Sequence, residues 1–261
     1  MIALVPQIGA LVKNTLLETL RNKILYALFS FAVMAIGATS AFGALSLHQE
    51  ERVFNNLVLF ANVVFLAALA IYQGVGAIHG DISSRTIFTV LSKPVRRGTY
   101  IFGKYLGSFV TVALALVILL AFKVGVTLFL DYTVTPQLFA AYYGVLLQLA
   151  IVVALAIFFS TFCTQLLSAL FTFSIFLVGS LTPQLAEASV AFAKTGNPVR
   201  YAIDVVLFVV PDLEKLNLSF ELTHRLDVPV SYLLTATGYS AVYVAILLIG
   251  AYVVFRKRDF Y

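Results

Sequence analysis

The chain has 261 residues, of which 61% are hydrophobic and 11% are charged, and its mean hydropathy is +1.00. Soluble domains are about half apolar and about a quarter charged, so this composition excludes an ordinary soluble protein and indicates an integral membrane protein. The net charge of +5 comes from basic residues beside apolar segments and not from a basic stripe with interleaved aromatics. Membrane topology therefore explains the charge better than a nucleic-acid partner, and we expect none.

The first predicted element is an amphipathic helix within residues 1–22. At helical spacing, Asn14, Glu18 and Arg21 share one face, while apolar residues occupy the opposite face. We expect this leader to lie on the membrane surface and to present its polar face to a cytoplasmic partner. The alternative is a simple cytoplasmic extension of the first membrane span.

Long uncharged segments predict the membrane spans. A helix needs about 20 apolar residues to cross roughly 30 Å of hydrocarbon. Uncharged segments bounded by charges and prolines give six candidates: Ile24–Leu47, Leu57–Ile78, Ile101–Phe122, Leu138–Ser160, Leu166–Leu181 and Tyr232–Phe255. No charged residue occurs between Asp131 and Glu187, a segment too long for one crossing, so we expect the chain to turn at residues 160–165. The predicted fold is therefore an all-α polytopic membrane protein with six transmembrane helices.

The distribution of lysine and arginine predicts the orientation. Basic residues precede the first span, cluster between the second and third, and follow the last, where Arg256 begins a basic triplet. Most acidic residues fall in the other connections. By the positive-inside rule, both termini and the loop of residues 79–100 are predicted to be cytoplasmic.

A hydrophilic insertion at residues 182–231 separates the last two spans and is predicted to be external. Pro183, Pro198, Pro211 and Pro229 divide it into short pieces. Residues 199–210 are apolar but include Arg200 and Asp204 and are too few to span a bilayer. We therefore expect short external helices here, one of them interfacial or re-entrant.

The cytoplasmic loop combines charge, a turn proline and a short amphipathic segment. Asp81 favours the start of a helix and Pro94 stops its continuation, so we expect about two helical turns ending near Leu91. Apolar side chains surrounded by cations are typical of a small element that fits a groove of another protein. The alternative is a purely topological loop whose cations contact lipid phosphates.

These residues resemble a known family. The sequence Gly80-Asp81, followed by Arg85-Thr86-Ile87, Leu91-Ser92-Lys93-Pro94-Val95 and Gly103-Lys104-Tyr105-Leu106-Gly107, is similar to the membrane permeases of type 2 ABC transporters. The closing segment at residues 255–260 and the six-span layout also resemble these permeases, so the whole chain would be a single permease domain, 1–261. Asp81 stands where a glutamate is commoner in the family.

The resemblance implies a permease subunit that binds a separate cytoplasmic ABC ATPase and pairs with a second permease copy, as a homodimer, in the inner membrane of a bacterium or archaeon. Export or conformational work would be driven by that ATPase. Its contacts would come from the loop and the leader: Asp81, Arg85, Ile87, Phe88, Leu91, Lys93, Arg96 and Arg97, with Asn14, Glu18 and Arg21. The chain contains no phosphate-binding loop motif, so we expect no catalytic site and no cofactor in it, and ATP and magnesium on the partner.

Two other functions remain open. An ion-driven secondary transporter needs buried ionisable groups, and the predicted spans offer almost none. Lys123 lies close to the external end of the third span, where we expect it to extend its ammonium to the lipid headgroups. A noncatalytic membrane anchor that recruits cytoplasmic proteins is the other alternative. The three histidines are far apart in sequence, so no metal site is predicted.

Overall fold

The computed structural model describes residues 50–83, 97–195 and 197–256, together with six single positions, Gly9, Val12, Ser30, Val33, Met34 and Gly37. Within these ranges the regular structure is helical and contains no strand. The predicted leader, the predicted span Ile24–Leu47 and most of the predicted coupling segment lie outside the described residues, apart from those single positions.

Eight α-helices make up the described part of the chain, with a 3-10 turn at Glu214–Leu216 between the sixth and seventh. They are α1 Glu50–Ser83, α2 Arg97–Phe129, α3 Pro136–Ser160, α4 Gln165–Ser180, α5 Thr182–Lys194, α6 Val199–Val209, α7 Ser219–His224 and α8 Val230–Arg256.

Four of the described helices, α1, α2, α3 and α8, are long and apolar enough to cross a membrane. The pair α4 and α5 passes the same test only when the two are taken together, and they are bent by 68°. Helix α4 has 16 residues, or about 24 Å, which is shorter than the hydrocarbon core. The described residues thus hold four or five of the six predicted spans, and the helices α1 and α2 extend well beyond the predicted boundaries.

Helix α3 is the centre of the bundle. It contacts α1, α2, α4 and α8, and most of its apolar residues are buried by these neighbours. Gly74 of α1 allows a close approach to α3, since a Cβ atom there would lie 2.6 Å from the Cβ of Ala156. By contrast α8 is largely exposed, which leaves a wide apolar surface on the outside of the bundle.

The connections define two ends of the bundle. At the loop end, α1 ends, α2 begins, α3 turns into α4, and α8 ends. The turn occurs at residues 161–164, as predicted from the polar segment. The opposite insertion end carries α5, α6, the 3-10 turn and α7, so residues 182–231 do form short helices.

The insertion packs tightly onto the bundle at its second half. Leu213 and Leu216 are fully buried, and the Gln148 side chain on α3 donates a hydrogen bond of 2.7 Å to the carbonyl oxygen of Leu213. A Cβ atom at Gly144 would collide with the carbonyl oxygen of Leu216. Glycine at this position therefore lets the insertion's backbone lie directly on α3.

Candidate functional site

The loop of residues 79–100, called the basic loop below, is held at its base by a buried ion pair between α1 and α2. The ammonium Nζ of Lys104 lies 2.9 Å from Oδ2 of Asp81, and the two side chains are only 3% and 10% exposed. The hydroxyl of Tyr100 donates a second hydrogen bond of 2.7 Å to the same carboxylate oxygen. Two donors thus converge on one buried carboxylate and fix the end of α1 against the start of α2.

Arg97 joins the same region to α8. Its guanidinium Nη1 donates hydrogen bonds to the carbonyl oxygens of Arg256, at 2.7 Å, and Phe255, at 3.3 Å. These carbonyls belong to the last turn of α8, where a cation also complements the negative end of the helix dipole. The ring of Tyr100 stacks on that of Phe255 with centroids 5.7 Å apart.

The spacing of the residues on α2 explains why they act together. Arg97, Tyr100 and Lys104 follow an i, i+3, i+7 pattern, which places their side chains on one face of a helix. That face meets both Asp81 and the end of α8. We call the five residues Asp81, Arg97, Tyr100, Lys104 and Phe255 the base clamp.

The structure corrects the predicted local role of Asp81. It was predicted to start a short helix, but it lies inside the last turns of α1, which continues to Ser83. Asp81 is buried within the bundle, where its carboxylate is paired with Lys104. Sequence reasoning named Asp81 and Arg97 but missed Tyr100, Lys104 and Phe255 as site residues. The signal that would have found Tyr100 and Lys104 is the helical periodicity that they share with Arg97.

The remaining predicted contact residues lie outside the described ranges. They are Arg85, Ile87, Phe88, Leu91, Lys93 and Arg96 in the loop, and Asn14, Glu18 and Arg21 in the leader. Of the predicted contact set, the structure therefore brings together Asp81 and Arg97.

A second buried polar cluster lies near the insertion end of α1, α2 and α3. Lys123 is fully buried, and its ammonium lies 5.8 Å from the ring centroid of Tyr142. The Tyr142 hydroxyl accepts a hydrogen bond of 2.5 Å from Nδ2 of Asn62. Neither Nζ of Lys123 nor Oδ1 of Asn62 has a hydrogen-bond partner in the described part of the chain. The expectation that Lys123 reaches the headgroups is wrong, since its side chain is enclosed by the bundle.

An ion pair also ties α1 to the insertion. Arg225, in left-handed conformation at the end of α7, places its guanidinium 2.7 Å from the carboxylate of Glu51. Within residues 50–83, 97–195 and 197–256, no three His, Cys, Asp or Glu side chains are grouped to hold a metal.

The comparison with protein families is decisive. The model described as "ABC-2 family transporter protein" matches residues 10–260. The chain belongs to the ABC-2 transporter family. No curated protein sequence matches it.

This ABC-2 chain is thus a permease subunit of an ABC transporter and an integral membrane protein. Members of the family supply the membrane part of a transporter and are not catalytic enzymes, and they typically work with a cytoplasmic ATPase. The base clamp combines one buried ion pair, one tyrosine hydrogen bond to the same carboxylate, one helix-end cap and one aromatic stack.

Proposed function

We propose that this permease couples ATP hydrolysis by a separate cytoplasmic ATPase to export or to conformational work across the membrane. The observation that carries the proposal is the base clamp, which joins both helices flanking the basic loop to the end of α8. A force applied to the loop would reach three membrane helices at once, because direct contacts join α1 to α2 and α2 to α8.

The roles of the predicted residues follow from this arrangement. Ile87, Phe88 and Leu91 would enter a groove of the ATPase, with Arg85, Lys93 and Arg96 around them. Asp81 is a positioning residue in this proposal, because its carboxylate is already engaged by Lys104 and Tyr100. Arg97 would transmit movement to α8. The leader residues Asn14, Glu18 and Arg21 would extend the same contact surface.

The proposal requires the loop end to face the cytoplasm, with both termini on that side of a bacterial or archaeal inner membrane. The basic residues at this end support that orientation, because lysine and arginine are enriched in cytoplasmic loops. Asp131, Glu187 and Asp227 lie at or near the insertion end.

A second copy of the chain completes the proposed assembly. A homodimer would contain twelve predicted spans and two base clamps, one for each ATPase subunit. The exposed apolar surface of α8 provides area for lipid and for a second copy. Cysteine cross-linking along α8 in membranes distinguishes a face that contacts a second copy from a face that contacts lipid, since only the first gives a covalent dimer.

Copurification tests the ATPase contact. The full chain, with Phe88→Glu or Ile87→Glu, is coexpressed with its ATPase and isolated in mild detergent. Each substitution introduces a carboxylate into the proposed groove, so we expect the ATPase to be lost while membrane insertion persists. The matched control is Phe208→Glu, the same change on an 88% exposed phenylalanine at the insertion end.

Normal binding and stimulation of the ATPase by both loop variants would overturn the contact assignment. Equal loss of ATPase from the Phe208→Glu control would show that the effect comes from general misfolding.

A further inference from the structure

A cavity of about 300 Å³ lies at the insertion end, between α1, α3, α4 and residues 214–219. Its volume is at the lower end of those that hold small organic ligands. The walls along α1 and α4 are apolar and include Leu59, Val63, Phe176 and Leu177. The end nearest the insertion is polar and includes Asn56, Glu214, Asn217 and Ser219.

The polar and the apolar lining residues are separated along the axis of α1. Asn56 and Val64 both line the cavity and are separated by about 12 Å along α1, with Asn56 closer to the start of the helix. The cavity is therefore polar at the insertion end and mainly apolar deeper in the span, where Gln148 of α3 also lines it and donates its hydrogen bond to Leu213. An amphiphile has the same order of groups, because its head remains at the membrane surface and its chain enters the hydrocarbon.

The polar end carries negative charge that has no cationic partner within the described residues. The Glu214 carboxylate accepts one hydrogen bond of 3.0 Å, from Nδ2 of Asn217. Burial raises the pKa of Glu214, and the carboxylates of Asp212 and Glu221 raise it further. Lys215 pairs with Asp212 at 3.3 Å, while Oε2 of Glu221 is buried without a hydrogen-bond partner. A bound ammonium would relieve this imbalance.

We propose that this cavity binds a membrane-resident amphiphile with an amine head, its ammonium at Glu214 and its alkyl chain between α1 and α4. Charge complementarity selects the amine over an anionic head, and the apolar walls select a chain over a small soluble amine. The inference does not depend on the identity of the ATPase or on the coupling proposal.

Photolabelling tests the site directly. The full chain in nanodiscs of zwitterionic lipid is labelled with hexadecylamine that carries a diazirine in its chain, and in parallel with the corresponding carboxylic acid. We expect the amine to label peptides containing residues 56–64 and 176–181 roughly tenfold more than the acid, as one charge-assisted hydrogen bond provides. Glu214→Gln should remove this preference, and Val63→Trp should reduce labelling by both probes.

Glu187→Gln is the matched control, because Glu187 is an exposed carboxylate on α5 away from the cavity. It should label like the unaltered chain. Equal labelling by amine and acid would overturn the proposal, and so would an unchanged preference in Glu214→Gln. The Glu214→Gln result remains informative if Val63→Trp fails to fold, since glutamine has nearly the same size as the glutamate that it replaces.

Discussion

Replacing Lys104 tests whether the base clamp stabilises this permease. Lys104→Met keeps the length of the side chain but leaves the Asp81 carboxylate, 10% exposed, without its cation. Removing one partner of a buried ion pair costs about 3–5 kcal/mol, far more than the pair itself contributes relative to apolar residues. We therefore expect the free energy of unfolding to fall by about 3–5 kcal/mol.

A double-mutant cycle separates the free energy of the Asp81–Lys104 interaction from the other effects of each substitution. In Asp81→Asn with Lys104→Met, both charges are gone and Tyr100 can still donate to the asparagine oxygen. We expect this double variant to lose only about 1 kcal/mol and to be more stable than either single variant. Lys215→Met is the matched control. Its pair with Asp212 involves a 67% exposed lysine and should contribute less than about 1 kcal/mol.

The assay is equilibrium unfolding of the purified full chain in mixed micelles, followed by helix content as the fraction of denaturing detergent rises. Additive losses in the double variant would refute the reasoning, because they would mean that Asp81 and Lys104 act independently. A Lys104→Met loss no larger than that of Lys215→Met would also refute it, since the ion pair would then behave as if it were exposed to solvent.

Three further predictions use the same preparation. Gly144→Ala should lower the free energy of unfolding by about 1–3 kcal/mol, because the new Cβ atom meets the backbone of the insertion. Its control is Gly125→Ala on α2, which has open space around it and should be neutral or stabilising by up to about 1 kcal/mol. The opposite order of stabilities would contradict the close packing at Gly144. Lys123→Met should raise the free energy of unfolding by about 1–3 kcal/mol, since it removes a buried ammonium that has no hydrogen-bond partner in the described residues. A decrease would show that the ammonium does have a hydrogen-bond partner in the membrane. A membrane-impermeant maleimide should label Cys163, the single cysteine, in inside-out vesicles and not in intact cells. The control is the double variant Cys163→Ser with Glu187→Cys, whose new cysteine should be labelled in intact cells and not in inside-out vesicles. Labelling of Cys163 from outside would mean that the proposed topology is inverted.

The membrane class, the helical fold and the approximate positions of four or five spans were predictable from the sequence. Hydrocarbon thickness alone requires long uncharged helices, and the segments that became α1, α2, α3 and α8 satisfy this requirement without reference to any neighbour. The turn before α4 and the division of the insertion by prolines are also local properties. The motifs of the basic loop were sufficient to indicate the family.

Helix boundaries and the bend after α4 were less predictable. The sequence suggested that charged and polar residues end the spans, but α1 continues through Asp81 because Lys104 on another helix neutralises that carboxylate. Helix α4, Gln165–Ser180, is as long as the predicted span and is shifted by one position, but the bend of 68° into α5 directly after it was not predicted.

Only the tertiary structure decided which polar side chains meet. Asp81 and Lys104 are far apart in sequence, as are Lys123 and Tyr142, and no local pattern indicates that each pair lies in contact. Lys123 was expected at the headgroups because its depth along α2 allows it, yet its direction is set by how α2 packs in the bundle. Composition and periodicity determine whether a helix enters the membrane, since each residue contributes independently to transfer from water. The partner of a buried charge depends on the relative rotation of neighbouring helices, which is a property of the packed bundle as a whole.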